Sequence, residues 1–189
     1  MALRQGRFTF CHDSVLSVLV VALESFLSSK KCINAQSNNS IKFVKAGAKF
    51  SKYTKRVHSG LLHLTADWKL LSDLGDKLVF PSFIAITRLR PVLFSTSIKT
   101  VIILELTCPC EENMEEWHQK KFFKCDPLTT SIRYNGWSVY FLAVEVGARG
   151  YCSTSLKSCL LRLGLPCKLV WHILRSLSLA SLKASFQIW

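Results

Sequence analysis

Apolar residues along this chain follow two different spacings. Leu16, Leu19, Leu23, Phe26 and Leu27 recur at three- and four-residue steps. That spacing predicts an amphipathic or buried helix within residues 1 to about 30, with Asp13 or Ser14 as its cap. Residues 61–150 read as a mixed α/β unit. LLHLTADWKLLSDL leads into a turn at Gly75–Asp76. KLVFPSFIAI then reads as a strand that Pro81 pushes towards an edge, and PVLF and KTVIILELT as the next two. EENMEEWHQKKFFK carries acids in its first turns and lysines in its last, which suits a helix and its dipole. Met114, Trp117, Lys121 and Cys125 fall on one face of it. After a turn at Asn135–Gly136, WSVYFLAVEVG is apolar on both faces and reads as a central strand. Beyond residue 150 the pattern is helical again, and Gly164–Pro166 divides it into two helices. The class expected is α/β, with an N-terminal helix and a helical C-terminal tail.

Three zones follow: residues 1–58, a helix and a basic linker; 59–150, an α/β core; and 151–189, a basic helical extension. The 189 residues are 49% hydrophobic, so a packed core is available and wholesale disorder is excluded. Charge sharpens the picture. Lys and Arg total 25 against 12 Asp and Glu, a formal net charge of +13. Such a balance points to a polyanionic partner, DNA or RNA before an anionic membrane surface, and not to a small-molecule substrate. No acid occurs between Ser25 and Ala66 or after Glu145. Lys42, Lys45, Lys49, Lys52 and Arg56 are candidate phosphate contacts; Gly47 and the Asn/Ser-rich lead favour a basic loop there over a helix. In the tail, Lys157, Arg162, Lys168, Arg175 and Lys183 are interleaved with Leu, Trp and Phe.

The 8 cysteines lack paired C-x-x-C spacing, so a zinc site using His12 or His118 is a weak reading beside reduced, mostly buried thiols. That usage fits an intracellular protein, nuclear or cytoplasmic. Val15–Leu23 loosely resembles a signal-peptide core, but His12, Asp13 and Glu24 flank it, and the run is too short to span a bilayer. A membrane-inserted or secreted protein is therefore a third-ranked reading.

Glu105 interrupts the apolar run KTVIILELT, and Glu145 interrupts the later one. A buried, unpaired carboxylate costs several kcal/mol, about 2–7 for a polar group and more for a charge. Each glutamate therefore needs a cation, a set of donors or a metal. Structural ion pairs, with Arg149 or with a lysine of the intervening helix, compete evenly with a functional site.

TRLRP, VLFS, KTVIILELTCPCEEN, HQKKFFK, NGWSV and VEVGARGYCS together resemble the C-terminal nuclease-type domain of retrotransposon polyproteins. That domain follows the reverse transcriptase and is similar to the PD-(D/E)XK restriction-endonuclease-like superfamily. The resemblance covers roughly residues 60–189, and MALRQGRFTFCHDSVL resembles the segment that joins the two domains. It implies a core of helix, three-stranded meander, helix and strand. It also implies a site holding Mg²⁺ between two acids, with a lysine to orient the nucleophile. On that pattern Glu105 is the second acid and a metal ligand. Thr107 stands where the lysine usually sits, Lys121 is a migrated substitute, and Glu145 and Arg149 support the site.

The chain departs from the pattern at Leu89-Arg90-Pro91-Val92-Leu93, where Asp and one further residue are missing between Pro91 and Val92. Loss of two residues keeps the alternation of the strand but removes the first metal ligand. Asp67, Asp73 and Asp76 do not stand at the matching position. The expected function is a degenerate or fragmentary endonuclease-like domain, catalytically impaired but still binding nucleic acid, with Mg²⁺ as cofactor only where activity remains. The competing expectation is a non-enzymatic basic nucleic-acid-binding or scaffold protein.

Overall fold

A computed structural model of the protein describes residues 3–36, 60–72 and 91–188. The strand expected at KLVFPSFIAI, the turn at Gly75–Asp76 and the basic residues Lys42, Lys45, Lys49, Lys52 and Arg56 lie outside the described residues.

The described chain is mixed α/β, with four helices around a four-stranded mixed sheet. Helix α1 spans Leu3–Gln36, and a short 3-10 turn at Leu61–His63 precedes strand β1, Lys69–Leu71. Strands β2, Val92–Ser95, and β3, Thr100–Thr107, form a hairpin. Helix α2, Met114–Tyr134, crosses one face, and strand β4, Ser138–Glu145, returns parallel to β3. Helices α3, Thr154–Leu163, and α4, Cys167–Ile188, close the order.

The sheet runs β1-β2-β3-β4, antiparallel except for the β3–β4 pair. β3 carries apolar residues on both sides because both sides are covered. Ile102, Leu104 and Leu106 join Leu142 and Val144 under α1, α3 and α4 in the larger core. Val101 and Ile103 meet Val92, Phe94, Cys125 and Ile132 under α2. The result is three layers, with α2 on one side of the sheet and three helices on the other.

Four expectations need correction. β4 is the edge of the described sheet, not a central strand. Its apolar second half is buried by α2 on one face and α3 on the other, while Ser138–Phe141 stay partly exposed. Asp13 and Ser14 do not cap α1. They are interior, because the buried stripe already includes Cys11, and Ser14 Oγ donates back to the Phe10 carbonyl at 2.7 Å. α1 also contains a window, Thr9–Lys30, that is long and apolar enough to cross a membrane by length and composition, with mean hydropathy 1.6. In the fold Val15, Leu16, Leu19, Leu23 and Phe26 are buried, chiefly against α4. Finally, the inward face of α2 is Met114, His118, Lys121 and Cys125. Trp117 turns 42% of its surface to solvent.

The expected break in the tail is present. Gly164 caps α3 in the left-handed region at φ 98°, the conformation that glycine reaches without a Cβ penalty. Ser153 caps its start by accepting from the Leu156 amide at 3.1 Å.

Candidate functional site

Parallel register aligns Glu105 with Ala143 and Thr107 with Glu145. Paired residues share a face and alternate residues return to it, so Glu105, Thr107 and Glu145 all face α2. The two glutamates therefore stand on adjacent strands, one pleat repeat apart.

Each carboxylate is satisfied. Lys121 of α2 forms an ion pair with Glu105 and donates to its Oε1; the side chains are 18% and 14% exposed. Glu145, only 3% exposed, accepts from His118 Nδ1 at 2.7 Å and from Ser155 Oγ at 2.6 Å. His118 lies three residues before Lys121, so consecutive turns of α2 serve the two strands in turn. Arg149 is not the partner of Glu145. Its amide donates to Glu111 Oε1 at 2.7 Å, and its guanidinium approaches Glu111 and Glu112 at 3.7 and 3.6 Å. It pins the loop after β4 to the lead-in of α2. A Cβ on Gly147 in that loop would sit 2.4 Å from Glu111 Oε1, so a larger residue there would have to displace that carboxylate.

Thr107 is buried, and its hydroxyl has no hydrogen-bond partner among the described residues. It borders a cleft of about 500 Å³ shared with His12, Pro109, Asn113, Trp117 and Lys121. His12 reaches this end of the sheet from α1, its Nε2 donating to the Leu106 carbonyl at 3.1 Å. Cys11 and Cys108 are hydrogen-bonded beside it. That bond from Cys108 holds the Cys11 thiol down to about 6 against the opposing effect of burial, helped by Ser181 and Ser185. The same contact, with burial, pushes Cys108 far above its ordinary value. The described cysteines carry free thiols. Cys11, Cys125 and Cys159 are buried, whereas Cys110 and Cys167 are exposed, so the expectation of mostly buried thiols holds for part of the set.

The residues present do not fit a Mg²⁺ ion. The cation wants about six oxygens in octahedral array. Here the ammonium of Lys121 occupies the carboxylate of Glu105, and His118 and Ser155 occupy that of Glu145. No three His, Cys, Asp or Glu side chains among the described residues converge as a metal-binding group. Asp67, the nearest described acid upstream, lies at the other end of the sheet. It binds the β2–β3 turn by accepting from Ser95 Oγ at 2.6 Å and from the Ser97 amide at 3.0 Å. Those bonds, that of Ser95 first, hold its carboxyl well below the usual range.

Glu105, Lys121, Thr107 and Glu145 are thus brought together, and Arg149 belongs to a neighbouring loop. His118, weighed in the sequence only as a weak zinc ligand, and Ser155 were not assigned to Glu145 from sequence. The signal for His118 was there: it falls four residues after Met114 and three before Lys121 on the inward stripe. No family model, curated protein or solved structure matches the chain.

Proposed function

We propose that this chain is a retrotransposon-derived endonuclease-like domain that binds DNA or RNA and has lost cleavage. An intracellular, nuclear or cytoplasmic setting goes with this reading. What carries it is the position of Glu105. It lies near the end of the last strand of a β-meander, facing the helix that leads to a parallel fourth strand, with a lysine of that helix against it. That arrangement supports the restriction-endonuclease-like order of helix, meander, helix and strand.

Register also supports the loss. Val92 pairs with Ile103, and the Leu104 amide donates to the Pro91 carbonyl at 3.0 Å. An Asp-x insertion between Pro91 and Val92 would set x opposite Leu104 and the Asp opposite Glu105, on the same face and about 4.5–5.5 Å away between Cα atoms. Without it, Glu105 has an ammonium for company and no second acid at its side among the described residues. Glu145 offers no replacement, being fixed by His118 and Ser155.

The test combines binding with supercoiled-plasmid nicking in Mg²⁺ or Mn²⁺. The natural chain should bind duplex and single strands at low salt and leave the plasmid intact. The Asp-x insertion should nick it, and the insertion combined with Glu105→Ala should not. Nicking by the natural chain that Glu105→Ala abolishes would refute the loss of cleavage. Absence of nucleic-acid binding at low salt would refute the reading as a whole.

A further inference from the structure

α4 presents an exposed aromatic ringed by cations. Lys168, Trp171 and Arg175 fall at three- and four-residue steps and share one outer face of the helix. Trp171 is 58% exposed, an unusual position for the largest apolar side chain. Lys157 reaches over from α3 and sets its ammonium 4.6 Å from the ring centroid. On the other flank of α3, Arg162 lies 5.4 Å from the ring of Tyr140. No acid occurs after Glu145, so no carboxylate of α3 or α4 competes for these cations. The acids nearest to α3, Glu111, Glu112, Glu115 and Glu145, gather at its N-terminal end, around Ser155 and Ser158.

We propose that Trp171, with Lys157, Lys168 and Arg175, is a stacking platform for single-stranded nucleic acid. The proposal rests on the nucleic-acid-binding reading above and gives that binding a location and a strand preference. The chemistry is specific to unpaired strands. A base in a duplex has both faces covered by its neighbours, whereas an unpaired base has a π-face free to lie on an indole. The surrounding cations then meet the flanking phosphates. Lys157 covers one side of the ring by a cation–π contact.

Because Trp171 is exposed, removing it leaves the core intact. The probes are a fluorescein-labelled oligothymidylate and a labelled duplex of equal length, followed by anisotropy. Trp171→Ala should weaken the oligothymidylate roughly ten-fold and change the duplex less than two-fold. Trp171→Phe should restore most of the loss, and Tyr134→Ala, an exposed aromatic at the end of α2, should have no such effect. Equal losses for both probes, no change for either, or an equal loss in Tyr134→Ala would overturn the platform while leaving nucleic-acid binding standing. So would a dimer in sedimentation that Trp171→Ala dissociates, which would assign this face to a second copy of the chain. If the parent protein binds neither probe, the underlying reading falls with the platform.

Discussion

Glu105 shows how one residue type can carry two opposite histories. A carboxylate inside an apolar strand needs a partner, and that requirement is the same whether the partner is a metal or a lysine. Here Lys121 satisfies it. The pair is mostly desolvated, so its two halves should not be separable without cost. Glu105→Ala should destabilise by about 3–5 kcal/mol in a urea melt, because it leaves the mostly buried Lys121 ammonium without a counter-charge. Replacing both, as Glu105→Leu with Lys121→Met, should recover most of that loss, since apolar groups of similar volume remove both desolvation costs. A single variant as stable as the parent would mean that water, not the ion pair, satisfies Lys121. The need for a partner was legible in the sequence, and so was Lys121. That Arg149 serves Glu111 and Glu112 and not Glu145 was not legible, because it depends on how the loop Gly147–Gly150 folds back towards Glu111.

Elements were readable where period and punctuation agreed. The β2–β3 hairpin, β4 and the two tail helices fall in the runs that alternation and Gly164–Pro166 marked out, and α2 begins in the run marked by dipole-matched charge. The extent of α1 and α2 was not readable. Both continue past residues that usually stop helices, Asp13 and Ser14 in one and Pro127 in the other, because their buried stripes continue too. Position within the sheet was likewise hidden: β4 looks central from its composition, yet an edge strand covered on both faces has the same composition. The α3–α4 corner is where local sequence and tertiary packing meet most tightly. Gly164 is held at φ 98°, and a Cβ there would lie 2.5 Å from His63 Cδ2 and 2.9 Å from Gly60 Cα. Gly164→Ala should therefore lose about 1–2 kcal/mol from the left-handed backbone alone, and more from the contact with the Leu61–His63 turn. Chemical denaturation checks this, and an unchanged midpoint would mean that the corner adopts another conformation at little cost.

For the whole molecule, the governing quantity is the excess of 25 basic over 12 acidic residues and its uneven distribution along the chain. Described acids cluster around Glu105, Glu111, Glu112, Glu115, Glu116 and Glu145, at and beside the α2 face, and many are paired there. The tail after Glu145 has none, and Lys168, Arg175 and Lys183 of α4 stay exposed. A polyanion therefore meets attraction on the α3–α4 side and repulsion near the lead-in of α2. Binding driven this way is driven by release of counterions, so the logarithm of affinity for duplex DNA should fall linearly with the logarithm of salt, with a slope of about −0.9 for each phosphate neutralised. Replacing Lys168 and Arg175 together by Gln should make that slope shallower by about two, the change expected when two phosphate contacts are lost. Glu112→Gln together with Glu116→Gln should strengthen binding slightly without changing the slope by a comparable amount, because those acids repel the strand and contact no phosphate. Filter binding across a salt series measures all three slopes. An unchanged slope in the Lys168/Arg175 variant would move the phosphate contacts off α4, to basic residues elsewhere in the chain.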